Sequence, residues 1–419
     1  MDRSAPAREA RAVGGAGSSH MDRPAPAREA ASLAGQYASV VFDLDGVIYL
    51  DDQVIPAAPD TVRRVRELGT RIAFVTNNAV RPPSAVVERL ARLGVKATVE
   101  EVLTSAQAVV RLLGGQRGLA GTKLVVVGGP GLRQALAEAG ARLLEPAAWR
   151  EAQVVVAGLD PDLDYGKLRA AVLAIAAGAR FVGSNPDASL PTPEGPWPGA
   201  GSVLALLSVA TGARPEIAGK PERALFEAVA DALGAGPCLM VGDRPDTDLV
   251  GARVLGWGTA LVLTGVTRLD TLLDLPVAPD YLLADVGGLL APPGPEIRAL
   301  PAAGQDGLTL VAESGARIAG TVACRWSDER ARLEDLTVEP PWRGRLVGTR
   351  LLLAACIALE AAGVRRITAA AGTAAVRRFL ERLGFSTDEE ARTQGVGTLA
   401  RDLGRARSSA RQPWTPWTP

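Results

Sequence analysis

Two aspartates two residues apart, Asp43 and Asp45, follow the apolar run Val40-Val41-Phe42 and precede Gly46. A β-branched run reads as a strand, and the glycine lets the chain turn where the strand ends. Carboxylates at strand ends of an open parallel sheet sit where ligands bind. Two of them there suit one hard cation and one phosphate. Asp43 is placed to attack phosphorus, and Asp45 to protonate the leaving oxygen and then deprotonate water. Thr76 and Asn77 end a second apolar run, Arg71-Ile72-Ala73-Phe74-Val75, and offer a hydroxyl, an amide and backbone donors to phosphate oxygens.

Lys220, in Gly219-Lys220-Pro221 ahead of a helix, adds a fixed cation. Asp243 and Asp248 follow the apolar run Leu239-Met240-Val241. Asp43, Asp243 and the backbone carbonyl of Asp45 form a candidate Mg²⁺ site, with Asp248 acting through water or orienting Lys220. Taken singly, each piece has a plainer reading: a surface turn at Asp43–Asp45, a turn at Thr76–Asn78, a solvated lysine, helix caps at 243–248. The last group also lacks the spacing of a calcium loop of about twelve residues ending in glutamate. Four such pieces in order, three of them directly after apolar strands, favour a single phosphate site.

Scarcity narrows the chemistry. His20 is the only histidine of 419 residues, and it lies in a Gly/Ser/Ala-rich stretch, which disfavours histidine triads and histidine-bound zinc. Only four lysines stand against 42 arginines, so a lysine in a motif carries weight. The 46 basic and 46 acidic residues balance, giving no electrostatic case for nucleic acid. Cys238, Cys324 and Cys356 are too scattered for a metal site or disulfide framework, so a reducing cytoplasm is expected. No apolar run reaches the length of a membrane span.

The elements that must hold these residues alternate short strands with helices from Val40 onward, the pattern of an α/β sheet. A second α/β block begins at Lys123, with strands near 153–157 and 180–182, and residues 183–201 read as a long loop. Strands resume at 239–243 and 259–263. A Pro-rich break at 291–303 reads as a linker. Beyond it come strands at 308–312, 316–325 and 331–338, a helix at 346–362, a strand at 365–370 and a helix at 373–383, an α+β unit. Residues 1–35 and 392–419 read as disordered. The first of these carries a near-repeat, Met1-Asp-Arg-Ser-Ala-Pro and Met21-Asp-Arg-Pro-Ala-Pro, either a short duplication or a second start at Met21.

Val41-Phe42-Asp43-Leu44-Asp45-Gly46-Val47, Thr76-Asn77-Asn78, Gly219-Lys220-Pro221 and Gly242-Asp243-Arg244-Pro245-Asp246-Thr247-Asp248 resemble the four signatures of haloacid dehalogenase-like phosphatases. Phe181-Val182-Gly183-Ser184-Asn185-Pro186-Asp187 with Gly199-Ala200-Gly201-Ser202 resembles the subclass with a large inserted α/β cap, subclass IIA. The resemblance spans roughly 37–290. It implies a Rossmann-like core at 36–103 and 214–290 and a cap at 104–213. It also implies Asp43 as nucleophile, Asp45 as acid and base, Thr76 and Lys220 on phosphate, and Asp243 on metal. Asn185, Asp187 and Leu190 would lie on or near the substrate-specificity loop of the cap. A roof of this size favours small phosphorylated metabolites, and members often pair through it.

Leu336-Thr337-Val338 through Arg343-Gly344-Arg345-Leu346-Val347-Gly348, with Ala375-Val376-Arg377-Arg378-Phe379-Leu380, resembles the acyl-CoA-binding region of GNAT-type acetyltransferases. Arg343, Gly344 and Gly348 would form its turn at the pyrophosphate. Leu346 takes a position the family gives to glycine, and Leu380 one it often gives to a tyrosine acid. Residues 304–391 are also short for the family. A partial, catalytically weak or silent domain with a packing or regulatory role is expected, with an acyl-CoA-binding regulatory protein or an acetyltransferase as the alternative of another class. A capped phosphatase with such a tail resembles actinobacterial glycerol 3-phosphate phosphatases. That resemblance makes glycerol 3-phosphate the first substrate expected, ahead of phosphoglycolate or a nucleotide.

Overall fold

The computed structural model describes residues 32–403, apart from 116, 193, 276, 301–305 and 389–397. His20, both methionines of the repeat and the sequence after 403 lie outside the described residues. At the centre is a six-stranded sheet, ordered Tyr281–Leu283, Gly258–Val262, Cys238–Gly242, Ser39–Asp43, Arg71–Thr76 and Val102–Thr104. Every neighbouring pair is parallel. The strands are near-continuous Val, Leu and Phe because both faces are covered. Val40 and Phe42 pack with Val62, Val65 and Leu90 of helices Ala58–Glu67 and Pro83–Arg92. Val41, pointing the other way, packs with Val109, Leu225 and Val229 of Ser105–Gly114 and Arg223–Leu233. Asp43, Thr76 and Asp243 therefore emerge side by side at the carboxyl edge of three adjacent strands.

The cap is a five-stranded parallel sheet, ordered Glu216–Ile217, Arg180–Gly183, Val154–Ala157, Lys123–Val127 and Arg142–Leu143. Its strand Glu216–Ile217 lies past the expected limit at 213. Conversely, helix Ser105–Gly114, expected in the cap, packs on the core helix Arg223–Leu233, with Arg111 and Asp231 paired at 3.4 Å. The expected loop 183–201 contains a hairpin, Ser189–Thr192 against Gly195–Pro198. Its prolines hid the strand pattern, yet a two-stranded ribbon tolerates proline on its unpaired edge. Core and cap share one apolar cluster, with Val75 and Ala79 joined to Val126, Leu132 and Val156. The amide of Gly131 donates to the Val80 carbonyl at 2.8 Å across the same seam.

The C-terminal unit is a seven-stranded sheet in the order Glu296–Ala299, Gly307–Ser314, Arg317–Ser327, Arg330–Val338, Arg366–Ala370, Thr398–Asp402, Ser386–Thr387. Only the pair Arg330–Val338 and Arg366–Ala370 is parallel. Its first strand falls in the stretch expected as linker, and Thr398–Asp402 in the stretch expected as tail. Neither carries a readable period alone; each is fixed by its pairing partner. Helices Val347–Ala361 and Ala374–Arg382 complete the unit. Leu272, Leu273 and Leu282 of the core form one cluster with Leu310, Leu351, Leu380 and Leu399, so the unit is docked on the core.

Candidate active site

Asp43 is buried at the end of the central strand, and Lys220 is buried beside it. The ammonium of Lys220 donates to Asp43 Oδ1 at 2.8 Å and to Asp248 Oδ1 at 2.6 Å. Its backbone is clamped by Asn77, whose Oδ1 accepts from the Lys220 amide at 2.8 Å and whose Nδ2 donates to the Lys220 carbonyl at 3.2 Å. Nδ2 also donates to Asp187 at 3.0 Å. This corrects the expectation for Asn77: its side chain is engaged in holding Lys220 and the cap, leaving only its backbone for phosphate. Thr76 is buried at the same edge, and its hydroxyl accepts from the Asn78 amide at 3.1 Å.

Asp243 ends the neighbouring strand. Its Oδ2 accepts from the Val266 amide at 2.6 Å, whereas its buried Oδ1 has no hydrogen-bond partner. Carboxylate oxygens of Asp43, Asp243 and Asp248 lie within 4.8 Å of one another. Three acids around one ammonium leave negative charge in excess, and a buried carboxylate oxygen without a donor is costly unless a cation meets it. The donor set is all oxygen, which suits a hard divalent ion such as Mg²⁺. Gly46 makes room for this packing. Its φ is +78°, and a Cβ there would stand 2.6 Å from Asp243 Oδ2.

Burial shifts the acids upward. Burial, and to a lesser degree the charge of Asp243, raises Asp43 to about 6 against the opposing pull of Lys220. Burial and Asp248 raise Asp243 to about 7. Asp248 is raised to about 6, chiefly by burial. For Lys220, burial opposes the charge, but Asp248 and Asp43 outweigh it and hold the ammonium firmly protonated. Asp45 faces the cleft and stays open to solvent, yet protein walls it in on both sides, and that burial raises its carboxyl despite Arg89.

The cleft has two parts. An inner cavity of about 150 Å³ is lined by Asp43, Asp45, Thr76, Lys220 and Asp243. It opens past Asp45 and Leu190 into a groove of about 780 Å³ between helix Pro83–Arg92 and the cap hairpin. Leu190 and Trp197, paired across that hairpin, form the cap wall. Arg89 lies over the Tyr49 ring at 4.1 Å on the core wall, with Arg81 and Arg92 nearby. None of these arginines stands in a motif, so only the fold reveals them.

All three expected specificity residues line the inner cavity, and Leu190 also faces the outer groove. Asn185 is buried, donating to the Asn77 carbonyl at 2.7 Å and accepting from the Asp187 amide at 3.1 Å. Asp187 accepts from Arg244 at 2.9 Å as well as from Asn77, joining the cap loop to two of the core motifs. Asn185 and Asp187 thus fasten the cap loop to the core from positions on the cavity wall.

In the C-terminal unit, Gly344 has φ +75° and Leu346 takes the left-handed conformation at +59°, ahead of the helix that holds Gly348. Arg343 Nε donates to the Val338 carbonyl at 2.9 Å, and Leu380 is buried. Leucine keeps the backbone turn that glycine would allow, but it adds a side chain at that point.

The sequence profile of haloacid dehalogenase-like hydrolases matches residues 40–142, and one described as HAD-hydrolase-like matches 217–289. That of the acetyltransferase (GNAT) family matches 285–385. The acid sugar phosphatase of Staphylococcus aureus is 34% identical over 258 residues, which are 61% of this chain and 98% of the relative. A glycerol phosphate phosphatase from Mycobacterium tuberculosis, solved in complex with magnesium, superposes with a TM-score of 0.68 at 32% identity, covering 84% of this chain and 98% of that one. The p-nitrophenyl phosphatase from Archaeoglobus fulgidus gives 0.57 at 30% identity, covering 61% and 98%. With this site at its strand ends, the chain belongs to the haloacid dehalogenase-like phosphatases, carrying an inserted cap and a GNAT-like C-terminal domain.

Proposed function

We propose that the protein is a Mg²⁺-dependent phosphomonoesterase whose first substrate is glycerol 3-phosphate. The observation that carries the chemistry is the cluster itself: Asp43 held at 2.8 Å by a buried Lys220, beside the donorless Oδ1 of Asp243. Asp43 attacks phosphorus, and the bond from phosphorus to the alcohol oxygen breaks as Asp45 gives that oxygen its proton. The aspartyl phosphate is then opened by a water that Asp45 deprotonates, releasing phosphate and restoring both acids. Thr76, the backbone of Asn77 and Lys220 receive the phosphate oxygens. Asp43, Asp243 and the Asp45 carbonyl would hold Mg²⁺, with Asp248 acting through water or orienting Lys220, and the ion when bound would supply further positive charge to the transferring group.

The choice of glycerol 3-phosphate draws support from likeness to the mycobacterial structure, which extends through the C-terminal domain. The groove past Asp45 favours a second reading, an ester with a larger alcohol such as a sugar phosphate, in keeping with the staphylococcal relative. Relative kcat/KM for glycerol 3-phosphate, phosphoglycolate, nucleoside monophosphates and sugar phosphates decides between them. Glycerol 3-phosphate leads the panel if the first reading is right. Asp43→Asn should lower turnover by at least about a thousandfold while leaving thermal unfolding intact; undiminished phosphate release would refute the mechanism. The same reading includes a cytoplasmic enzyme and pairing of two chains through the cap, where Leu206 and Val209 stand exposed. Light scattering on the double variant Leu206→Asp, Val209→Asp tests the pairing.

A further inference from the structure

Helix Val347–Ala361 leaves one face uncovered by its own sheet. Arg350, Ala354, Ile357, Ala358 and Ala361 line an open cavity of about 740 Å³. The far wall is built by the core's edge strand Tyr281–Leu283 and by residues 293–297. The spacing of those helix positions is a single stripe, so the cavity follows the helix for about eleven residues, roughly 16 Å. Its character changes along that length. Arg350 stands at one end, and small or apolar side chains form the rest of the stripe.

Arg350 is the unusual member. Its guanidinium is half-buried, and among the described residues it makes no hydrogen bond or ion pair. Burial acts against its charge, and Tyr281 is the ionisable group that offsets it, not a carboxylate. An arginine stays protonated regardless. Of the acids on the cavity wall, Asp280 is committed to Arg253 at 2.9 Å and to the amide and hydroxyl of Thr259 at 2.8 Å each. Glu296 is exposed at the edge. Gly294 passes directly over the guanidinium: a Cβ there would lie 2.5 Å from Nη1. The charge is thus held in place and lacks an anion among the described residues.

We propose that this cavity binds an unbranched aliphatic monocarboxylate, its carboxylate paired with Arg350 and its chain lying along Ala354, Ile357, Ala358 and Ala361. A planar carboxylate matches the guanidinium fork. Each added methylene buries more apolar surface, so affinity rises about threefold per carbon until the stripe is filled. The site is remote from Asp43 and lies between the core and the C-terminal domain. It would therefore tie the two together when filled.

Calorimetry on the full chain with butyrate, octanoate and dodecanoate, and with dodecanol as a neutral control, tests this. Binding should strengthen from butyrate to dodecanoate, and dodecanol should bind at least tenfold more weakly than dodecanoate. Arg350→Gln should weaken dodecanoate at least tenfold, and Ala354→Trp, which fills the groove, should abolish it. Both variants should retain unliganded phosphatase turnover, which reports that they are folded. No binding of any carboxylate to the active chain, or dodecanoate affinity unchanged in both variants, would overturn the assignment.

Discussion

Asp43, Asp243 and Asp248 are buried close together, and burial first, then their mutual charge, raises their proton affinities, with a measurable consequence. Each binds protons more tightly in the folded state, at about 6, 7 and 6, than an ordinary aspartate near 4. The folded form of the metal-free protein is therefore favoured below the unfolded value, and that advantage fades as pH rises through the folded values. Metal-free protein should lose thermal stability between pH 5 and 8 on account of this cluster. Added Mg²⁺ should raise the unfolding temperature far more at pH 8 than at pH 5, because it must displace protons at the lower pH. Scanning calorimetry with and without chelator checks both. Gly46 is the other sensitive residue. Gly46→Ala forces an unfavourable backbone and drives a methyl against Asp243, so stability should fall by about 1–3 kcal/mol and Mg²⁺ affinity with it, as urea titration and metal binding would record.

At the level of elements, the cap loop is fastened to the core through Asp187, which accepts from both Asn77 and Arg244. Arg244 also supplies the backbone amide that holds Asp248 at 3.1 Å. The fastening therefore reaches from the cap to the lysine's partner. If Asp187 and Arg244 act as one contact, Asp187→Ala and Arg244→Ala should each lower kcat/KM by about tenfold, or about 1.4 kcal/mol, and the double variant should be little worse than either. Strictly additive losses would show that the pair is independent. The arginine belongs to the motif Gly242-Asp243-Arg244-Pro245-Asp246, so its presence was legible in the sequence. Its pairing with Asp187 was not, because the two lie 57 residues apart.

For the whole molecule, the docking of the C-terminal domain turns on Arg401. Its guanidinium donates to the Leu383 carbonyl at 2.6 Å and the Asp270 carbonyl at 3.0 Å, and pairs with Asp274 of the core. Arg401→Met leaves those carbonyls and Asp274 without their donor, which should cost about 2–4 kcal/mol of stability. Phosphatase kcat should hardly change at a temperature where the variant is folded, because the contact lies away from Asp43. Differential scanning calorimetry paired with phosphate release separates the two effects. The extent of the domain depended on such contacts: Thr398–Asp402, which carries Arg401, reads as part of a tail until it is paired with Arg366–Ala370.

The sequence by itself determined which polar and charged residues stand at the ends of apolar strands or just ahead of a helix, and in what order, because period and residue type are local properties of the chain. Asp43, Asp45, Thr76, Lys220 and Asp243 were legible for that reason, as was the alternation of strand and helix. Tertiary structure decided what each polar group has left to offer. Side chains from distant segments had to meet before Asn77 and Asn185 could be seen holding other residues, Asp187 bridging cap and core, and Arg350 left without a counter-charge among the described residues. Hydrogen-bond capacity is finite, and only the fold shows where it is already used.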